Sequence, residues 1–196
     1  MISYFILNFL RSHDSEIDIS LSVDTALYSA FSETILFILW SFYTNSDKQT
    51  EIIFISAVAA IYINLTVIID YHTGFVYKII NVIVLIIFLS INFHINSITF
   101  SCVISVLFLL IFLVICDKTE AFGRGDSEFI FVTFWMLCLG IDNEAVLETT
   151  LGILFLSSFL FGIYRKADGR KEGMIPYTPF IAVSECIFII ISCISE

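Results

Sequence analysis

Apolar residues in this chain do not alternate with polar ones. They run on in long stretches separated by short polar connections, from Thr25 to Ser195. A helix crosses the hydrocarbon core of a bilayer with about 20 predominantly apolar residues. Only helices and closed barrels can cross, because backbone groups cannot go unpaired in lipid, and continuous rather than alternating runs select helices. Seven spans are expected, at Thr25–Thr44, Ile52–Ile69, Val76–Phe93, Ile98–Cys116, Ser127–Leu139, Ala145–Tyr164 and Ile175–Ser195. The fifth is short for a full crossing and is expected to be tilted or partly sunk. The pattern therefore predicts an all-α, polytopic transmembrane helix bundle of about six to seven spans over residues 25–196. Residues 1–24 form an N-terminal segment that is polar and acidic after residue 10. Met1 to Leu10 lacks a charged leading region and a small-residue cleavage site, so it does not read as a signal peptide. It reads as an interfacial segment or the remnant of a longer first span. No internal repeat stands out.

Composition agrees with a membrane protein and narrows its partners. Of 196 residues, 59% are apolar and 14% charged, against about 45–50% and about 25% in soluble domains. The net charge of −10 owes much to Asp14, Glu16, Asp18 and Asp24. Nine basic residues without a basic cluster on a predicted face argue against nucleic-acid binding. Those basic residues are distributed unevenly. Arg11, Lys78, Lys118, Arg124, Arg165, Lys166, Arg170 and Lys171 fall on one side of the predicted spans, and only Lys48 falls on the other. The positive-inside rule makes the first side cytoplasmic. With seven spans, the N-terminus is inside and the C-terminus outside. The bilayer is the one partner that composition itself implies. The five cysteines, Cys102, Cys116, Cys138, Cys186 and Cys193, show no C-x-x-C spacing and lie in or beside apolar runs. They read as buried or lipid-facing thiols, with no disulfide framework, no metal site and no cofactor expected.

Three short motifs stand at the side assigned to the cytoplasm. Asp70 ends the apolar run Ile61–Ile69 and begins Asp70-Tyr71-His72-Thr73-Gly74. Alone it reads as a residue that stops a helix at the headgroups, since a carboxylate drawn into the membrane costs a few kcal/mol. Gly123-Arg124-Gly125-Asp126 places two glycines just before a helix start. The glycines allow positive φ and close backbone approach, and the helix N-terminus favours the Asp126 anion. Alone, Asp126 reads as an N-cap. The cell-adhesion tripeptide spelled by Arg124-Gly125-Asp126 is a coincidence at this location. Pro176 and Pro179, the only prolines, lie where the last span begins, as helix-start prolines should.

Taken in order, Asp70, then Gly123-x-Gly125-Asp126, then Pro176-Tyr177-x-Pro179-Phe180, the chain resembles the prepilin peptidase family. These are the type IV leader peptidases among the GxGD intramembrane aspartic proteases. The resemblance runs from about Ile61 to Val183 and is to the short, peptidase-only forms, because the paired C-x-x-C motifs of the methyltransferase region are missing. It implies that Asp70 and Asp126 are the catalytic pair, with Gly123, Gly125, Pro176 and Pro179 as supporting motif positions. It also implies a type IV prepilin or pseudopilin precursor as substrate, cut at the cytoplasmic edge of the inner membrane. The chain departs from the family pattern at Tyr77, where proline is usual, at Lys78, where Asn or Asp follows it, and at Glu128, where lysine is common.

A pair of close carboxylates can hydrolyse a peptide without a metal by sharing one proton. One activates water and the other polarises the peptide carbonyl and protonates the leaving amine. Other carboxyls fall inside predicted spans, Glu33 and Glu185, where they are expected to be protonated, paired across helices, or lining a polar cavity. His72 reads as a solvated loop residue. Asn64-Leu65-Thr66 matches a glycosylation acceptor but lies in a span. The readings that compete with a protease are a catalytically degenerate scaffold for pilus or secretion assembly and a small carboxylate-using transporter. Transporters place their functional carboxylates at mid-span and often show repeats.

Overall fold

The computed structural model describes residues 1–13, 23–44, 49–74, 76–95, 100–118, 124–140, 145–168 and 175–195. Among these the chain is all-α, with eight helices: α1 Ile2–His13, α2 Val23–Tyr43, α3 Gln49–Thr73, α4 Lys78–Ile95, α5 Phe100–Lys118, α6 Arg124–Leu137, α7 Val146–Asp168 and α8 Thr178–Ser195. Helices α2 to α8 fall on the seven apolar runs of the sequence. Three of them are long and apolar enough to cross a membrane, over Asp24–Tyr43, Gln49–Thr73 and Val146–Ala167. Large apolar side chains face outward along the bundle, among them Phe31 and Phe42 on α2, Ile111 on α5, Phe155 on α7 and Ile194 on α8. A soluble monomer does not expose apolar surface on this scale, and the three long helices make this a multi-pass membrane protein.

Helix α6 lies at the centre, packed against α4, α5, α7 and α8. Its residues Phe129, Ile130, Val132, Phe134, Met136 and Leu137 are all buried. A helix that is apolar all round belongs inside a core. Its 14 residues span only about 21 Å at 1.5 Å per residue, short of a hydrocarbon core of about 30 Å. Two side chains from neighbouring helices let it end early. The Asn92 amide on α4 donates to the Trp135 carbonyl at 2.8 Å, and the Tyr43 hydroxyl on α2 donates to the Leu137 carbonyl at 3.3 Å. Carbonyls of the last turn, which lack partners within a helix, are thus satisfied by the protein. The turn that follows needs Gly140, because a Cβ there would collide with the Tyr43 ring and crowd its carbonyl oxygen.

Helices α2 and α3 are joined by a buried polar clasp. The Asn64 amide donates to the Ser29 carbonyl at 3.1 Å and to the Ser29 hydroxyl at 3.0 Å, and the Ser32 hydroxyl donates to Asn64 Oδ1 at 2.6 Å. Inter-helix hydrogen bonds of this kind hold helices together where hydrophobic burial gives little preference. Asn64 is therefore a buried packing residue. Helix α1 lies on α2 and α3, with Leu7 seated against Leu65 and Ile69. The Glu33 carboxylate of α2 meets its N-terminus, accepting from the Met1 amino group at 2.5 Å and from the Ser3 N–H at 3.2 Å. This resolves Glu33 as a carboxyl paired across helices. Glu185 on α8 is fully buried, and neither of its oxygens has a hydrogen-bond partner among the described residues.

Candidate functional site

Asp70 does not stop its helix. Helix α3 continues through Thr73 and is closed by Gly74, whose φ of 71° is the left-handed conformation that glycine adopts without strain. The Gly74 N–H donates to the Asp70 carbonyl at 2.8 Å. Asp70 therefore sits in the last turn of α3 with its side chain turned inward, only 4% exposed. Its Oδ2 accepts from the Thr178 N–H at 3.0 Å and from the Thr178 hydroxyl at 2.8 Å. Thr178 opens α8, so the carboxyl meets the positive end of that helix, where an N–H would otherwise lack a partner. His72, two residues on and so on another face of α3, is exposed and stacks edge-on against Tyr71 with ring centroids 5.4 Å apart.

The two prolines flank this contact. Pro179 occupies the second position of α8, where the missing N–H costs nothing. The Tyr177 carbonyl accepts from the Phe180 and Ile181 N–H groups and so starts the helix. Tyr177 itself is buried, and its hydroxyl is within hydrogen-bond distance of the Ser157 hydroxyl at 2.7 Å and of the Ser158 hydroxyl at 2.9 Å, both on α7. Phe161 stacks edge-on against both Tyr177 and Phe180. Helix α7 thus fixes the Tyr177-Thr178 step that holds Asp70.

Asp126 lies in the first turn of α6, half-buried. Gly125 brings this helix start close to the α3–α4 turn. A Cβ on Gly125 would lie 2.8 Å from the Val76 Cβ and 3.3 Å from the Val76 backbone nitrogen. The glycine here serves close approach; the one glycine with positive φ among the described residues is Gly74. Gly123 lies outside the described residues. Asp70, in the last turn of α3, and Asp126, whose helix start abuts the α3–α4 turn, thus lie at one end of the bundle.

The departures from the family pattern have structural partners. The Tyr77 carbonyl accepts from the Ile80 and Asn81 N–H groups and starts α4, and its side chain packs with Leu7, Leu65 and Ile69. Glu128 accepts from the Asn81 amide at 3.3 Å, and the Tyr62 hydroxyl donates to Asn81 Oδ1 at 2.9 Å. Lys78 is exposed at the first position of α4. Thr178, Tyr177 and Asn81 were not singled out as site residues by sequence reasoning. A Thr-Pro step before an apolar run is a legible helix start, but its partner 108 residues away is not. None of the five cysteines is in a disulfide, and Cys102, Cys116 and Cys138 are buried. Among the described residues no group of three or more His, Cys, Asp and Glu side chains is arranged to hold a metal ion.

No protein-family model, curated protein or solved structure matches the chain.

Proposed function

We propose that this protein is a membrane-embedded aspartic endopeptidase of the prepilin leader peptidase type. It removes the basic leader from type IV prepilin-like or pseudopilin precursors at the cytoplasmic edge of the inner membrane. The observation that carries this reading is that Asp70 and Asp126, two sequence-distant carboxyls, lie at one end of the bundle, where Gly125 packs on Val76 just beyond the end of α3. In this reading α2 to α8 are seven spans. Lys78, Lys118, Arg165 and Lys166 lie at helix ends on the same side as both aspartates, which makes that side cytoplasmic by the positive-inside rule.

Hydrolysis then needs one carboxylate to take a proton from water while the other, protonated, polarises the peptide carbonyl and later protonates the leaving amine. The pair acts as a unit, so neither role belongs to one residue. No metal or cofactor enters the reaction.

A second reading has one specific observation in its favour. Asp70 Oδ2 is already engaged by both donors of Thr178, which is also what a purely structural clamp would do in a degenerate scaffold. Co-expression with a prepilin in a host lacking its own leader peptidase separates the two. The wild type is expected to shorten the precursor, and Asp70→Asn and Asp126→Asn are each expected to abolish cleavage, with the double change adding little. Cleavage that survives either substitution sinks the protease reading. No cleavage of any of several prepilins by the wild type favours the scaffold.

A further inference from the structure

The chain holds a groove that the paired aspartates do not use. It lies between α4, α5 and α6 and encloses about 340 Å³. Its walls are apolar, made by Val82, Leu85, Leu110, Leu113, Val114 and Phe131. Val82, Leu110 and Val114 are also exposed on the outer face of the bundle, so the groove opens sideways. Its rim is polar and gathered at one end, with Lys78 and Asn81 from α4, Asp117 from α5, and Ser127 and Glu128 from α6. Ser127 and Glu128 directly follow Asp126, so the rim adjoins the candidate site. Ser127 is 9% exposed and its hydroxyl has no hydrogen-bond partner among the described residues. A buried hydroxyl in that condition is costly unless something else satisfies it.

We infer that this groove receives the apolar transmembrane segment of the protein substrate, and that Asp117 and Glu128 select a segment with a basic cytoplasmic flank. The inference rests on the peptidase reading and adds to it where the substrate lies and which side chains choose it. The groove follows α4 from Lys78 to Leu85, about 10 Å at 1.5 Å per residue. That is room for the side chains along one face of a docked helix over about two turns. The charges on the rim decide between occupants. One lysine faces two carboxylates, so the rim is net acidic, with Asp126 beside it. A phospholipid would bring its phosphate against Asp117 and Glu128. A membrane segment brings lysines and arginines at its cytoplasmic end, the complementary charge. A segment seated in the groove leads its flank past Ser127 to Asp126. The Asn81 amide, held by the Tyr62 hydroxyl, positions the Glu128 carboxylate at the rim.

Photo-crosslinking tests this without requiring cleavage. A benzophenone amino acid replaces Val114 in the groove or, as a control, Phe155 on the outer face of α7. Both are placed in an Asp70→Asn background, and the protein is reconstituted in phosphatidylcholine vesicles. The probes are two synthetic leucine–alanine helices, identical except for three lysines or three glutamates at one end. At position 114 the lysine-flanked probe is expected to be captured about fivefold more than the glutamate-flanked one, a factor that modest ion pairs supply. Position 155 should show no preference. Asp117→Lys with Glu128→Lys should reverse the preference, which a misfolded protein could not do. Equal capture of both probes at position 114, or the same preference at position 155, overturns the inference. So does displacement of the lysine-flanked probe by a small excess of phosphatidylethanolamine, which would make the groove a lipid site. Failure here with prepilin cleavage intact removes the groove and leaves the peptidase reading standing. Charge-selected capture with no cleavage of any prepilin removes the peptidase reading alone.

Discussion

The Asp70–Thr178 contact allows chemistry and architecture to be separated at one residue. Asp70 Oδ2 accepts two hydrogen bonds, from the Thr178 N–H and the Thr178 hydroxyl, inside a 4% exposed site. Asp70→Ala leaves both donors buried without a partner. Each such orphan costs about 1–3 kcal/mol, so the loss is about 2–6 kcal/mol. Asp70→Asn is different, because its amide oxygen can accept both bonds. It loses the interaction of the charge with the α8 N-terminus, about 0.3–1 kcal/mol and up to about 2 kcal/mol in a partly buried geometry. Thr178→Val removes the hydroxyl bond and keeps the backbone one, at about 1–3 kcal/mol. The expected order of stability is wild type, Asp70→Asn, Thr178→Val, then Asp70→Ala. The buried thiols of Cys102, Cys116 and Cys138 supply the readout, because a thiol-reactive fluorophore reports their exposure on heating in detergent. For a chain of this size 1 kcal/mol corresponds to about 2–4 °C, so Asp70→Ala should melt at least about 4 °C below wild type. Prepilin cleavage should follow a different order, being lost in Asp70→Asn and retained in part in Thr178→Val. An Asp70→Asn protein as unstable as Asp70→Ala would refute the hydrogen-bond accounting. Loss of cleavage in proportion to stability across the series would show that Asp70 only holds the fold.

Three further outcomes test other parts of the structure. Gly125→Ala should cost about 1–3 kcal/mol by forcing α6 away from Val76, and adding Val76→Gly should restore part of the loss; additive losses would refute the close contact. Asn92→Leu should destabilise the chain by about 1–3 kcal/mol, because it leaves the Trp135 carbonyl without its side-chain donor, whereas Tyr43→Phe should cost less, because the Leu137 carbonyl keeps the Gly140 N–H at 3.1 Å; a neutral Asn92→Leu in the same melting assay would mean that α6 does not end as described. Glu185→Met removes two buried oxygens that have no partner among the described residues and should raise the melting temperature by about 2 °C or more while cleavage is kept; a lower melting temperature would show that the carboxyl is held by a group that matters.

Much of the architecture was legible because lipid leaves a chain few options. Continuous apolar runs near 20 residues must be helices, so the seven runs and the helices α2 to α8 coincide to within a few residues. Even the shortness of the run at Ser127–Leu139 was readable. What made it tolerable was not, since the donors that close α6 come from Tyr43 and Asn92, far away in sequence. Glycine-rich and proline-rich steps marked where helices start, because those residues act through local backbone geometry. Their detailed use was decided by packing: Gly125 is small because Val76 leans on it, and Gly74, not Asp70, ends α3. The fates of the buried acids were likewise tertiary. Glu33 and Glu185 look alike in sequence, both in apolar helices, yet one meets the N-terminus of α1 and the other is sealed in the core. The sequence alone determined a multi-helix membrane chain with candidate carboxyls at its span ends, because hydrophobic run length and turn chemistry are local. That Asp70 is fastened to Thr178, and that Gly125 seats the Asp126 helix start on Val76, only the tertiary structure decided, because contacts between helices depend on which faces meet.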